Sequence, residues 1–174
     1  MTKSELDFTL SKAYQTVVDY FISLDEASFI QSQDGKWAPG QHLEHLLKSV
    51  RPVSLAFGLP SLVTRLFFGR AHGTSRSYDE LVQAYKQALA SGAKASRPYI
   101  PKRANYKKQK AVARSLNRTV ATLSRRIHQF SEPQLDRLRL PHPILGKITL
   151  REMLYFTIYH AEHHLQGAKV LQTH

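Results

Sequence analysis

The sequence has no cysteine among its 174 residues. This absence excludes disulfide bonds, thiolate zinc sites and cysteine nucleophiles together, and leaves imidazole and carboxylate groups as the available metal ligands. It also fits a reducing cytoplasm. The remaining composition is ordinary for a globular protein, with 42% hydrophobic and 22% charged residues. A chain of this length suits one compact unit, so we interpret residues 1–174 as a single domain.

A long uninterrupted apolar run is also missing. The N-terminal stretch Met1 to Asp7 lacks the apolar core of a signal peptide. The most apolar stretch, Leu59 to Phe68, is interrupted by Pro60 and Arg65. We therefore expect no membrane span and a cytoplasmic location.

Acidic residues are absent from one continuous stretch, Leu81 to Phe130. This stretch contains twelve of the 25 Lys and Arg residues, and the other 13 balance the 13 acids, so it carries the whole formal net charge of +12. Such a concentrated positive field attracts polyanions, which suggests two hypotheses: non-specific nucleic-acid binding and the attraction of an anionic substrate. The sequence contains no helix-turn-helix, RNA-recognition or other nucleic-acid-binding signature.

Apolar residues spaced three and four apart occur in four segments, which is the pattern of amphipathic helices. The first segment runs from about Leu6 to Phe29, the second follows Pro39, and the third, from Val112 to Phe130, has a cationic outer face. The fourth begins after Thr149, which forms a predicted capping box with Glu152. These segments predict an all-α fold, a four-helix bundle with a short helical insertion between the second and third bundle helices.

The segments between these helices carry breaker residues. Gln33-Asp34-Gly35 is expected to form a turn, and Pro52 is expected to kink or end the second bundle helix. A basic linker is predicted through Arg97 to Pro101. The segment after Pro133 is interpreted as an irregular connection, because it contains no alternating strand pattern of useful length.

Histidines are concentrated on two of the predicted helices. His160 and His164 are four residues apart, so they share one face of the last helix and could ligate one metal ion, whereas His163 points well round the helix. The second bundle helix offers His42 and His45. Periodicity places His42 nearer the centre of the apolar stripe and His45 further round, and it does not choose between them. Histidines at this spacing also occur as hydrogen-bonded core residues.

Three stretches of the chain resemble the DinB-like (DinB/YfiT) superfamily: Trp37 to Leu47, His142 to Leu154, and His160 to Gln166. Members of that superfamily are four-helix bundles whose metal site uses one histidine from the second helix and an H-x-x-x-H pair from the last. The resemblance implies a divalent metal held by His45, His160 and His164, with His45 selected because it follows the tryptophan motif at the usual distance. One departure is Ala38, which stands where serine or threonine is common.

A site of three histidines without a charged ligand leaves coordination positions open, as catalytic zinc sites do. Zinc, nickel, iron or manganese would each accept imidazole ligands. The resemblance implies a metal-dependent hydrolase or thiol S-transferase acting on a small molecule. The family, together with apolar surface near Leu55 to Phe68, also suggests a homodimer. The alternatives are a non-catalytic bundle with structural histidines and a basic nucleic-acid-binding module.

The sequence does not identify a general acid or base. Glu44 and Glu162 neighbour the candidate ligands in sequence but are expected to project away from them. Trp37 is interpreted as a packing residue at the start of the second bundle helix. Four further side chains are candidates for hydrogen bonds to the ligands: Tyr14, Tyr155, Tyr159 and His142.

Overall fold

The computed structural model describes residues 1–32 and 35–170, and the chain in these ranges is mainly helical. The α-helices are α1 (Lys3–Ser23), α2 (Glu26–Ile30), α3 (Pro39–Ala56), α4 (Ser61–Phe68), α5 (Tyr78–Ala90), α6 (Gln109–Ile127), α7 (Glu132–Arg137) and α8 (Leu150–Val170). Two 3-10 helices, Arg97–Tyr99 and Tyr106–Lys108, precede α6. Strands β1 (Arg139–His142) and β2 (Gly146–Thr149) form an antiparallel hairpin.

The bundle consists of α1, α3, α6 and α8. Helices α1 and α3 each pack against both α6 and α8, so α1 and α3 lie diagonally across the core. Apolar residues at helical spacing fill this core, among them Leu10, Phe21, Leu46, Leu116, Leu123, Leu154 and Ile158. The predicted four-helix bundle is therefore confirmed, and α4 and α5 lie in the predicted insertion between its second and third helices.

The predicted capping box at the start of α8 is present. The Glu152 amide donates to Thr149 Oγ1 at 3.1 Å, and the Thr149 amide donates to the Glu152 carboxylate at 2.8 Å. These bonds satisfy two amides that would otherwise lack a helical partner. They fix the first turn of the helix that carries His160 and His164 about three turns later.

Three predictions about the segments before α4 differ from the structure or are only partly covered by the described residues. The segment predicted as one helix is two, because α1 ends at Ser23 and Asp25 caps a new helix by accepting from the Ser28 amide at 2.8 Å. Helix α3 does not end at Pro52 and continues to Ala56. In the predicted turn before α3, Gly35 has a positive φ of 72°, and residues 33 and 34 lie outside the described residues.

The segment after Pro133 was predicted as an irregular connection, and this prediction is wrong. It contains α7 and the hairpin, in which Leu140 pairs with Ile148. Each strand has four residues and the first includes a proline, so the sequence is too short to display an alternating pattern. Gly146 takes the positive φ of 70° that the chain reversal requires. The hairpin holds His142 in a buried position.

Gly40 is a point of close contact in the first turn of α3. A Cβ atom at this position would lie 2.8 Å from the Ala104 Cβ and would also collide with the Phe29 ring. We expect Gly40→Ala to lower the free energy of unfolding by about 1–3 kcal/mol, because the neighbours must shift to admit the methyl group. Urea denaturation measures this change. Gly73→Ala is the control, since its Cβ would meet nothing within 4 Å; equal stability of the two variants would contradict the prediction.

Three apolar side chains of α4, those of Leu62, Leu66 and Phe67, are exposed in the single chain. Leu66 and Phe67 are 71% and 74% exposed, respectively. The predicted homodimer would cover such a surface, and it stays a prediction. Within the described ranges no single helix is both long and apolar enough to cross a membrane; α3 and α4 together reach that composition across a bend of 107°.

Candidate metal centre

Helices α3 and α8 pack side by side and bring three histidines together. His160 Nε2 lies 3.1 Å from His45 Nε2 and 3.0 Å from His164 Nε2. The three candidate ligand atoms all lie within 4.8 Å of one another. We call His45, His160 and His164 the histidine triad. His163 is exposed on α8 and is not part of it, as the helical spacing predicted.

The triad is buried, and its rings are held in the uncharged form. His45 and His160 are each 4% exposed and His164 is 8% exposed. Burial lowers the pKa of all three imidazoles, and it is joined by repulsion from the neighbouring histidines; for His160 and His164 the pKa falls well below the usual 6.5. Neutral imidazole is the form that ligates a metal.

A backbone carbonyl fixes the tautomer of His45. His45 Nδ1 lies 2.7 Å from the Tyr99 carbonyl oxygen. Because a carbonyl can only accept, Nδ1 carries the proton, and Nε2 presents its lone pair to the other two rings. The Lys48 ammonium donates to the next carbonyl, that of Ile100, at 2.7 Å, so α3 holds this segment at two points. Hydrogen bonds of this kind orient metal-binding histidines in other proteins.

His42 is a neighbour of the triad rather than a member. Its Nδ1 lies 2.8 Å from His164 Nδ1, so one ring donates to the other. Burial lowers the pKa of His42 to about 4. The helical wheel, which did not choose between the two histidines, placed His42 nearer the centre of the apolar stripe; in the structure His42 is half-buried, whereas His45 is buried. The 3-10 helix that ends at Tyr99 covers His45. A helical wheel of α3 includes only the residues of that helix, so it cannot represent this contact.

Trp37 packs against the outer side of the triad. Its ring is stacked on His164 with centroids 6.0 Å apart, and its centroid lies 4.9 Å from that of His45. The interpretation of Trp37 as a packing residue agrees with this position, but the residues it packs on include the triad itself. Its indole shields the imidazoles from water on this side.

The convergence of the three Nε2 atoms is chemically suited to a cation. A proton on one ring can bridge only one pair of lone pairs at a time, whereas a cation satisfies all three. Tetrahedral zinc with bonds of about 2.0–2.1 Å spaces its nitrogen ligands by about 3.3 Å. The two Nε2–Nε2 separations of 3.0 and 3.1 Å are close to that spacing. The residues present therefore fit a divalent metal with imidazole ligands.

The other candidates named from the sequence form no hydrogen bond to the triad within the described residues. Glu44 pairs with Lys48 at 3.1 Å, and Glu162 is exposed, so both project away as expected. No hydrogen bond of the described residues joins the triad to Tyr14, Tyr155, Tyr159 or His142.

Each of these four has a different setting. Tyr14 is buried in the core, Tyr155 accepts from the N-terminal amine, and Tyr159 stacks on His163. His142 Nδ1 accepts from the Ile144 and Leu145 amides, so this nitrogen bonds within the turn of the hairpin.

Sequence reasoning missed two polar groups around the triad. They are the Tyr99 carbonyl and the Ser49 hydroxyl, which lies 3.4 Å from His45 Nε2. Ser49 is one helical turn after His45, and this spacing was the one available signal for it. The Tyr99 contact had no signal, because 54 residues separate it from His45 and its side-chain type is irrelevant to a carbonyl.

Comparison with known proteins gives the same fold and a family. The family model described as the DinB superfamily matches residues 9–167. The crystal structure of TT2238, a four-helix bundle protein, is similar with a TM-score of 0.58 and 19% identity, over 99% of this chain and 100% of that one. No curated protein matches. Because the family model spans most of the sequence, the chain belongs to the DinB superfamily.

Proposed function

We propose that this protein binds one divalent metal ion through His45, His160 and His164. The observation that carries the proposal is the convergence of three buried, uncharged Nε2 atoms, two of whose separations are 3.0 and 3.1 Å. Within the described residues this is the group of side chains that could hold a metal. Zinc, nickel, iron and manganese all accept such ligands.

We further propose that the site serves a hydrolase or a thiol S-transferase. A bound divalent ion supplies Lewis acidity to either reaction. The protein's own groups orient and shield the site: the Tyr99 carbonyl and His42 bond to the outer nitrogens of His45 and His164, and Trp37 excludes water from one side. Ser49 places a hydroxyl beside His45, where it could hold a polar group of a substrate.

Elemental analysis tests metal binding directly. Protein purified without a histidine tag, and then loaded with zinc and desalted, should retain about one ion per chain. A parent protein that retains no stoichiometric zinc, nickel, iron or manganese after loading would leave the non-catalytic bundle with structural histidines as the better description.

A second function, non-specific binding of nucleic acid, is favoured by a separate cleft. The cleft, of about 330 Å³, lies between α3 and the segment before α6 and is lined by five cations, with Glu44 as the acid among its lining residues. The cations are Lys48, Arg51, Lys102, Arg103 and Lys108. Because Glu44 pairs with Lys48, the positive charge of the others is unopposed at this wall.

Salt dependence tests this second function. Fluorescence anisotropy with single-stranded DNA and RNA should show binding that weakens steeply between about 50 and 200 mM salt. The double substitution Lys102→Ala and Arg103→Ala should reduce the salt slope by about 1–2, whereas Arg65→Ala with Arg70→Ala, away from the cleft, should not. Negligible affinity of the parent at the lowest salt would exclude the function.

A further inference from the structure

A chamber of about 230 Å³ lies directly beside the histidine triad. His45 and His160 form part of its wall, and His164 is not among its lining residues. The chamber extends away from the triad between α3, α8, the hairpin and the segment before the first 3-10 helix, and Phe68 of α4 and Tyr85 of α5 also line it. Buried side chains, including Met153, Leu140 and Tyr85, form its inner wall.

The walls of this chamber carry no formal charge. None of the described residues that line it is Asp, Glu, Lys or Arg, although 22% of the chain is charged. Carbon-rich side chains such as Val53, Ala56 and Phe156 provide most of the surface. The polar groups are few: the imidazoles of His45, His142 and His160, and hydroxyls such as that of Ser49. An ion that entered would lose its hydration without gaining a charged partner.

Helix α3 separates the uncharged chamber from the cleft lined by five cations, which we call the basic cleft. Helix α3 directs His45, Ser49 and Val53 into the chamber, whereas it directs Lys48 and Arg51 into the basic cleft. These positions alternate along α3 because residues four apart share a face and their neighbours lie on another. The positive charge that dominates the composition is therefore absent from the chamber beside the triad.

We propose that the chamber binds the uncharged, apolar part of a small-molecule substrate and holds it beside the triad. An engineered cavity of about 150 Å³ in another protein accepts benzene, so this volume suits a body of about nine or ten non-hydrogen atoms. The ligand class is an alkyl or aryl alcohol, thiol or amide rather than an anion. The role of the triad toward that substrate rests on the proposed function, whereas the affinity of the chamber for apolar groups does not.

A matched pair of probes tests the chamber in metal-free protein treated with a chelator. The probes are 4-methylbenzyl alcohol and 4-methylbenzoate, which have nearly the same shape but differ in charge. Titration calorimetry should show at least tenfold tighter binding of the alcohol, because the carboxylate must be desolvated without a partner. Along the series benzyl, 4-methylbenzyl and 4-ethylbenzyl alcohol, affinity should rise about threefold to fourfold per carbon.

Two substitutions on α3 locate the binding site. Val53→Phe fills the chamber and should weaken binding of the alcohol at least tenfold. Leu55 is 68% exposed on the same helix, so Leu55→Phe should leave the affinity for the alcohol unchanged. Circular dichroism establishes that both variants are folded. If Val53→Phe does not fold, the probe pair on the parent protein still decides the question.

The outcomes separate this proposal from metal binding. Equal or tighter binding of the carboxylate, no binding of any alcohol, or unchanged affinity in folded Val53→Phe would each overturn the chamber proposal. Alcohol binding in a protein that retains no metal after loading would uphold the chamber and overturn the metal site. Metal retention without alcohol binding would uphold the metal site and overturn the chamber proposal.

Discussion

His160→Ala is expected to lower the affinity for zinc by more than about 100-fold. Loss of a group that only orients a ligand already costs about 10–100-fold in metal affinity, and His160 is itself a proposed ligand. It is also the central member of the triad, because its Nε2 contacts those of both His45 and His164. Competition against a chelator of known affinity measures the change.

His163→Ala is the matched control for this experiment. It removes an imidazole from the same helix, but His163 is exposed and outside the triad. Thermal unfolding with zinc and with chelator gives a second measurement. The unfolding temperature of each protein is compared between these two conditions, so a loss of packing caused by the substitution affects both values and cancels in their difference. Zinc should raise the unfolding temperature of the parent and of His163→Ala, and should leave that of His160→Ala unchanged. Equal zinc shifts in all three proteins would show that the triad does not bind the ion.

Metal-free protein is expected to lose stability steeply as the pH falls below about 6.5. Burial lowers the pKa of His142 to about 4. Between these two values the unfolded chain binds a proton at this histidine and the folded chain does not, so acid favours unfolding. The stabilisation of the folded state by neutral His142 is complete at pH values above the pKa of this histidine in the unfolded chain. It is lost as the pH falls toward the pKa in the folded chain. His142 alone accounts for about 1.6 kcal/mol between pH 6.5 and 5.

The triad and His42 add to this effect with the same sign, because their pKa values are also lowered. Urea denaturation with chelator between about pH 7.5 and 5 measures the total, in a range above the pKa values at which carboxylates titrate. His142→Asn is the control, since its amide oxygen can accept from the same two backbone amides without titrating. It should reduce the slope by up to about 1.4 kcal/mol per pH unit. Stability independent of pH in this range would contradict the assignment of neutral buried histidines.

The sequence was informative wherever one helix decided the outcome. The spacing of His160 and His164 placed both on the face of α8 that meets α3, and it excluded His163. The same periodicity did not choose between His42 and His45 on α3, and in the structure the buried one is His45, although His42 lies nearer the centre of the apolar stripe. Burial of a residue on a helix depends on everything that packs around it, and at His45 this includes a 3-10 segment 54 residues away.

Longer-range features had little or no local signal. The hairpin that carries His142 consists of strands of four residues, one with a proline, which is too short for an alternating pattern. The chamber is built from α3, α4, α5, α8, the hairpin and the linker before α6, and each contributes only one to a few lining residues. Its uncharged lining could not be inferred from a composition dominated by positive charge.

The sequence by itself determined the four amphipathic segments of the bundle, the capping box of α8 and the pairing of His160 with His164, because periodicity and capping are properties of contiguous residues. The tertiary structure alone decided that the Tyr99 carbonyl orients His45, and that an apolar chamber rather than the basic cleft borders the triad. These features depend on how separate segments pack, and packing is set by the simultaneous fit of many side chains rather than by any local pattern.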